Sequence, residues 1–175
     1  MDTPRHWAND IYDVFKRQRI ALVSYVPDAG HVPLLNLCQA DADIRLVSLT
    51  TEEEGVALNA GAYLGGARSA LLMQSSGVGN CVNMFSLLRT CGFPFLTLVT
   101  MRGEYGEFNP WQVPMGQATP KVLEAMGLVV YRASAPGDVG DVVDAAARLA
   151  FNSYCAVAVL LSQSLIGVKA FTEKK

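Results

Sequence analysis

Thr51-Glu52-Glu53-Glu54-Gly55-Val56-Ala57-Leu58-Asn59-Ala60-Gly61-Ala62-Tyr63-Leu64-Gly65-Gly66 is the stretch on which the reading of this chain turns. It is a small-residue helix that opens on three consecutive carboxylates. An acidic first turn suits the helix dipole, and Thr51 followed by Glu54 fits the Thr-x-x-Glu capping box. The three acids then separate by position. Glu54 is assigned to the cap. Glu52 shares its face with Gly55, Val56 and Asn59 and is expected to face water. Glu53 is followed at three, four, seven and eleven positions by Val56, Ala57, Ala60 and Leu64, the apolar stripe that an amphipathic helix turns inward. It is therefore the candidate for a buried, functional carboxylate. On periodicity alone the plainer alternative, three solvated acids at a helix start, stays open, because helix ends are poor places to read a face.

Outward from this helix the chain alternates regularly. Short apolar, β-branched runs at 20–26, 44–49, 70–74, 95–100, 128–131 and 156–161 read as buried strands. Helical patterns fall between them at 32–39, 52–64, 80–90, 120–126 and 139–152, after a leading helix over 7–18. Strand and helix repeated in this way specify an α/β fold: a doubly wound, six-stranded, mainly parallel sheet with helices on both faces. No linker, low-complexity tract or repeat divides residues 1–175, so one domain is expected.

Composition narrows the function classes. A formal charge of -2, with no run of Lys or Arg beyond Lys174-Lys175, argues against nucleic acid or an anionic membrane as the main partner. The opening Met1-Asp2-Thr3-Pro4-Arg5-His6 is polar and mixed in charge, unlike a secretory signal, and no apolar run is long enough to span a bilayer. Cys38, Cys81, Cys91 and Cys155 sit in apolar surroundings without C-x-x-C or His spacing, so reduced core thiols are expected. A cytosolic, soluble protein follows.

In open parallel sheets ligands sit at the carboxyl ends of the strands. The segments there are 26–31 with Pro27, Asp28 and His31, the glutamate segment, 74–80 with Gly77, Val78 and Asn80, and 101–116 with Arg102 and Gln112. Each has a plain alternative. Gly77 and Gly79 ease a tight turn or let a ligand approach the backbone. They lack the third glycine of a dinucleotide fingerprint, and the Walker pattern is absent. His31 is either a hydrogen-bonded structural histidine or a substrate contact. Arg102 is either a surface ion-pair member or an anion site. His6 is expected in a mobile terminus.

Taken together these segments resemble the pyrimidine-binding domain of thiamine diphosphate-dependent 2-oxoacid decarboxylases. Within that family they are most similar to the separate alpha subunits that act on sulfopyruvate, with phosphonopyruvate decarboxylases as siblings. The resemblance covers nearly the whole chain. It is carried by the glutamate helix ending in Ala62-Tyr63, by Gly77-Val78-Gly79-Asn80, and by the segment from Arg102-Gly103-Glu104 to Gln112 and Gly116. Counting back nine positions from Ala62 lands on Glu53, the residue that helix geometry also selects.

The resemblance implies that Glu53 hydrogen-bonds N1′ of the cofactor's pyrimidine and drives its 4′-amino group to the basic imino form. It implies cofactor contacts from Pro27, Asp28, Gly77, Val78 and Gln112, with Val78 packed against the pyrimidine. Gln112 stands where several relatives place a substrate-touching histidine. His31, Asn80 and Arg102 are the implied contacts of a small anionic 2-oxoacid. The family's diphosphate and Mg2+ are held by Gly-Asp-Gly followed some two dozen or more residues later by Asn. Gly137-Asp138-Val139 departs from that motif and Asn152 follows too soon. Pro136-Gly137-Asp138 reads instead as a helix start. The chain is thus expected to be an alpha subunit without a metal site of its own, completed by a beta subunit that carries the diphosphate and Mg2+. Homo- and hetero-oligomers are both expected, with exposed Phe108, Trp111 and Val113 pointing to association. Competing expectations are a phosphonopyruvate decarboxylase subunit, a non-catalytic small-molecule-binding module and a nucleotide-binding domain.

Overall fold

Six apolar runs become six strands: β1 (Ile20–Tyr25), β2 (Arg45–Ser48), β3 (Arg68–Gln74), β4 (Phe95–Thr100), β5 (Val129–Ala133) and β6 (Ala156–Leu161). A computed structural model describes residues 6–168, so Met1 to Arg5 and the Lys174-Lys175 pair lie outside the described residues. Every pairing is parallel, in the order β2-β1-β3-β4-β6-β5. The strands are buried on both faces, which is why they read as continuous apolar runs instead of alternating ones. β3 shows the division: Ala70 and Leu72 enter the core under one layer, Leu71 and Met73 the core under the other.

The first layer contains α1 (Trp7–Arg17), α2 (Val32–Gln39) and α7 (Val139–Ser153), whose Ile11, Phe15, Leu34, Val143 and Ala147 are fully buried. The second contains α3 (Glu52–Leu64), α4 (Ser75–Cys81), α5 (Phe85–Cys91) and α6 (Val113–Ala125), with Val56, Val78, Phe85 and Leu123 inside. A short α8 (Gln163–Ile166) follows β6. Strand order reverses between β1 and β3, so the segment after β1 and the helix after β3 leave the sheet toward opposite faces. That divergence opens a crevice at the carboxyl edge.

Three local expectations change. The 74–80 segment is helical: α4 starts directly at Ser75, a turn over 82–84 interrupts it, and α5 resumes at Phe85. α6 begins seven residues earlier than its apolar pattern, because Pro114 at its first turn is compatible with a helix start. His6 is not a loose end; its Nδ1 accepts the Ala8 N–H and caps α1. All four cysteines are free thiols, with Cys38 and Cys81 buried as expected but Cys91 exposed at the end of α5. Burial pushes the Cys38 thiol up to about 12. Among the described residues no helix is long and apolar enough to cross a membrane.

Candidate active site at the carboxyl edge of the sheet

The three glutamates occupy three different environments, and not the expected ones. Glu54 is exposed, and its Oε2 accepts the Thr50 N–H at 2.9 Å, reaching one residue further back than a capping box would. The Thr51 side chain makes no bond to the helix N–H groups; it donates to Glu53 Oε2 at 2.5 Å. Glu52, expected in water, is only 8% exposed. Its Oε2 accepts Asn80 Nδ2 at 2.7 Å, and its carboxylate lies across Gly77, where any Cβ would overlap it. Glu53 is half-buried between them.

The correction has a packing cause. α3 buries Glu52, Gly55, Val56, Asn59 and Ala60, while Ala57 and Leu64 are exposed, Leu64 by 73%. Gly55 sits against Leu71 and Leu49 with no room for a side chain, which draws that face of the helix onto β3. Asn59 joins it by accepting the Ser24 hydroxyl at 3.0 Å. Close approach through glycine, backed by one buried polar bond, decides the face over the weak pull of alanines. Glu53 therefore stands at the border of the buried face with one oxygen held by Thr51. Its Oε1 has no hydrogen-bond partner among the described residues.

Around the β1–β3 divergence the polar groups are tied to each other. Asp28 accepts Thr100 Oγ1 at 2.6 Å, Gln74 Nε2 at 3.0 Å and the Gly30 N–H at 3.2 Å. Burial raises its proton affinity, but the bonds from Thr100 and Gln74, the neighbouring His31 and the Gly30 N–H outweigh it, holding the carboxyl below its ordinary range. Asp28 thus braces the crevice, closing the turn after β1 onto β3 and β4. Pro27 is exposed beside it.

His31 does not reach a substrate. It is fully buried; Nε2 donates to the Met73 carbonyl at 3.2 Å and Nδ1 is unpaired among the described residues. Burial lowers its pKa against the pull of Asp28, so the ring is neutral near pH 7. Val78 is likewise fully buried among Val56, Leu71 and Met73. A ligand meets it only through backbone. Asn80 is exposed, but its amide is spent on Glu52. Gly77 is enclosed by Glu52, whereas a Cβ on Gly79 would meet only Met115 Sδ at 3.5 Å.

Arg102 is also withdrawn from anion binding. Its Nε and Nη2 donate to the two carboxylate oxygens of Glu107 at 2.6 and 2.7 Å, with the two side chains only 9% and 3% exposed. Arg102, first, and the Asn109 N–H and Gln163 amide hold the Glu107 carboxyl down to about 2. The clasp extends further: Gln163 Oε1 accepts the Glu104 and Tyr105 N–H groups, and Arg132 pairs with Glu104 at 2.8 Å. Gln112 lies on the same loop, half-buried, with Oε1 enclosed and unpaired. An enclosed acceptor without a donor costs about 1–3 kcal/mol, which a ligand donor would recover. Beyond it Trp111 is 84% exposed, beside Phe108 and Val113.

A cleft of about 230 Å3 runs between Asp28, Gly30, Arg102 and Ile166 at this edge. A wider one of about 500 Å3, lined by Phe85, Phe93, Met126 and Tyr154, lies at the amino ends of β4, β5 and β6, away from the chemistry-bearing side chains. Among the described residues no group of three His, Cys, Asp or Glu is placed to hold a metal ion. Asp138 is exposed and precedes α7, as the helix-start reading of Pro136-Gly137-Asp138 expects.

Sequence reasoning missed Glu52, Gln74, Thr100 and Glu107. For Glu52 a signal existed: glycine three residues on and asparagine seven on mark a face packed closely against other side chains, Leu49 and Leu71 at Gly55 and Ser24 at Asn59. For Glu107 none did, since an irregular loop has no periodicity to read.

No protein-family model matches the chain. Curated relatives do. The sulfopyruvate decarboxylase alpha subunit of Methanococcus maripaludis is 36% identical over 86% of this chain and 91% of its own length. The phosphonopyruvate decarboxylase of Streptomyces viridochromogenes is 36% identical over 60% of this chain and 27% of its own. Among solved structures, a 2-oxoglutarate:ferredoxin oxidoreductase from Magnetococcus marinus superposes with a TM-score of 0.72, covering 93% of this chain and 29% of that one at 14% identity, which speaks for the fold alone. With this identity sustained along almost the whole length of both chains, the protein belongs to the family of sulfopyruvate decarboxylase alpha subunits.

Proposed function

We propose that this chain supplies the pyrimidine-binding half of a thiamine diphosphate-dependent carboxy-lyase that converts sulfopyruvate to sulfoacetaldehyde and carbon dioxide in the cytosol. One observation carries the role of the site: Glu53 stands at the open carboxyl edge with Oε2 steadied by Thr51 and Oε1 unengaged. The residues fit the aminopyrimidine end of the cofactor, with a free carboxylate oxygen, backbone opened by Gly79, and the unpaired Gln112 oxygen. When bound, thiamine diphosphate supplies the electron sink for the carbanion that decarboxylation leaves, a service no side chain offers. Glu53 holds and shares a proton at N1′ of the pyrimidine. Pro27, Val78 and Gln112 bound the ring, Val78 through its backbone.

The diphosphate and Mg2+ are assigned to a beta subunit that meets this edge. The lack of Gly-Asp-Gly with a downstream Asn supports that division, as does the Streptomyces relative, a longer chain of which this one matches only about a quarter. With Arg102 paired and His31 enclosed, the cations that recognise the sulfonate and carboxylate come largely from that subunit. Phosphonopyruvate is the second reading, since the same dianionic 2-oxoacid chemistry serves both and the Streptomyces relative bears that name.

The test is carbon dioxide release by this chain co-expressed with its partner, from each oxoacid, with and without thiamine diphosphate and Mg2+. Release from sulfopyruvate that needs both additions is expected. Turnover of phosphonopyruvate alone would shift the substrate. No release from either with an assembled complex would favour the non-catalytic module.

A further inference from the structure

The cavity of about 500 Å3 at the amino ends of β4, β5 and β6 lies at the opposite edge of the sheet from Glu53, and nothing assigned above uses it. Its volume falls within the roughly 300–1,000 Å3 of small-molecule sites. Three helices end on it. α5 closes at Gly92, α6 just before Gly127 and α7 at Tyr154, and these three residues take the left-handed conformation, with φ of 66°, 86° and 55°.

Glycine is the usual residue in that conformation, because it has no Cβ to clash. Tyr154 is therefore out of place by backbone preference, and burial does not compensate, since it is 59% exposed. Its ring is what the position retains. It lines the cavity and meets Tyr63 edge-on at 6.3 Å, and Tyr63 in turn lies 5.8 Å from Phe93, another part of the wall.

The charges on the wall are unspent. Arg89, from the last turn of α5, lies over Gly127, its side chain 3.5 to 3.9 Å from where a Cβ would stand. Glu124, from the last turn of α6, lines the same cavity. The two side chains are opposite in sign, yet they form no ion pair or hydrogen bond with each other or with any other described residue. Helix carboxyl ends carry partial negative charge. Three of them at one cavity disfavour a simple anion, and Arg89 disfavours a simple cation. A molecule with both charges and an apolar body satisfies every group on the wall.

We propose that this cavity binds a small zwitterion with an apolar side chain, an α-amino acid of the leucine or phenylalanine class. Arg89 takes the carboxylate through its forked donors, Glu124 takes the ammonium group, and Phe93, Met126 and Tyr154 cover the side chain. The site is separate from the carboxyl edge, so the role of Glu53 has no bearing on it.

The experiment is isothermal titration calorimetry on the complex of this chain with its partner. L-leucine and L-phenylalanine are each compared with the acid that lacks the amino group, 4-methylpentanoate or 3-phenylpropanoate, and the amine that lacks the carboxylate, 3-methylbutylamine or 2-phenylethylamine. One amino acid binds per copy of this chain, and both single-charge analogues are weaker by on the order of 10-fold or more, the weight of one charge-assisted hydrogen bond. Arg89→Gln weakens the amino acid by the same factor and leaves the amine unchanged. Glu124→Gln weakens the amino acid likewise and leaves the acid unchanged. Both residues are exposed, so neither variant disturbs the core. Tyr154→Gly removes the ring but suits the backbone; it leaves Tm no lower and weakens all three ligands.

Saturable binding of neither amino acid at millimolar concentration overturns the proposal. So does equal affinity for an amino acid and its two analogues, which would make the cavity a plain apolar groove. Binding unchanged by Arg89→Gln and Glu124→Gln overturns it as well. A changed subunit count in Tyr154→Gly, with no amino acid bound by the wild type, would assign the cavity to a contact between chains instead.

Discussion

Two regions of the same sheet edge treat their charged groups in opposite ways. In the loop after β4, Arg102 and Glu107 are paired through two short bonds, and Gln163, Glu104 and Arg132 extend the pairing until no charge there is free to act. At the start of α3, Glu52 has one amide for a partner and Glu53 keeps an oxygen unengaged. The first region behaves as a clasp that gives an irregular loop one shape. The second holds unspent hydrogen-bonding capacity, as a site must before its ligand arrives. The difference explains why an arginine just past a buried strand is not an anion site here, while a carboxylate in a row of three is a candidate proton-sharing group.

The comparison can be broken at either end. The largest effect is expected from Gly77→Ala, whose methyl would displace the Glu52 carboxylate: overpacking of about 1–3 kcal/mol and a fall in turnover on the order of 10²-fold, read by thermal unfolding and steady-state rates. Normal turnover would mean that the α3–α4 contact does not matter to the site. Next comes Glu107→Gln, which leaves Arg102 enclosed without its counter-charge and should cost about 3 kcal/mol, or roughly 6–12 °C in Tm for a chain of this size.

The same pair sets an acid limit. Glu107 binds its proton less readily folded than unfolded, so its contribution is complete above the ordinary carboxylate range, near 4.5, and fades as pH falls toward about 2. Tm measured across that window should drop more steeply in the wild type than in Glu107→Gln. The smallest effect sharpens the contrast: replacing the pair together, Arg102→Gln with Glu107→Gln, should change the KM for sulfopyruvate by less than about threefold, because the guanidinium is not a substrate contact. A rise of 10²-fold would restore Arg102 to anion binding.

The fold was legible because a doubly wound sheet buries its strands on both faces and writes them as apolar runs, such as Phe95 to Thr100. What escaped lies where glycine or irregular backbone decides. α4 was hidden because Gly77 and Gly79 are poor helix formers, and Gly77 is tolerated in a helix because Glu52 needs its missing side chain. The bearing of α3 was hidden because Gly55, silent in a hydrophobic pattern, controls the approach to β3. At the site, the spacing to Tyr63 nominated Glu53, but its contrast with Glu52 was out of reach, since the partner Asn80 is distant in sequence. His31 and Val78 show the limit of such reading: the sequence put their side chains beside a ligand, and the fold turns both side chains fully into the core.

The central claim is that Glu53, and not its buried neighbour, acts on the cofactor. It is tested most directly by carbon dioxide release from sulfopyruvate in the assembled complex carrying Glu53→Gln, at saturating thiamine diphosphate and Mg2+. A loss of at least about 10³-fold, with Tm within about 2 °C of the wild type, is the predicted result. Turnover retained in Glu53→Gln but lost in Glu52→Gln would contradict the claim and move the chemistry one residue back along α3.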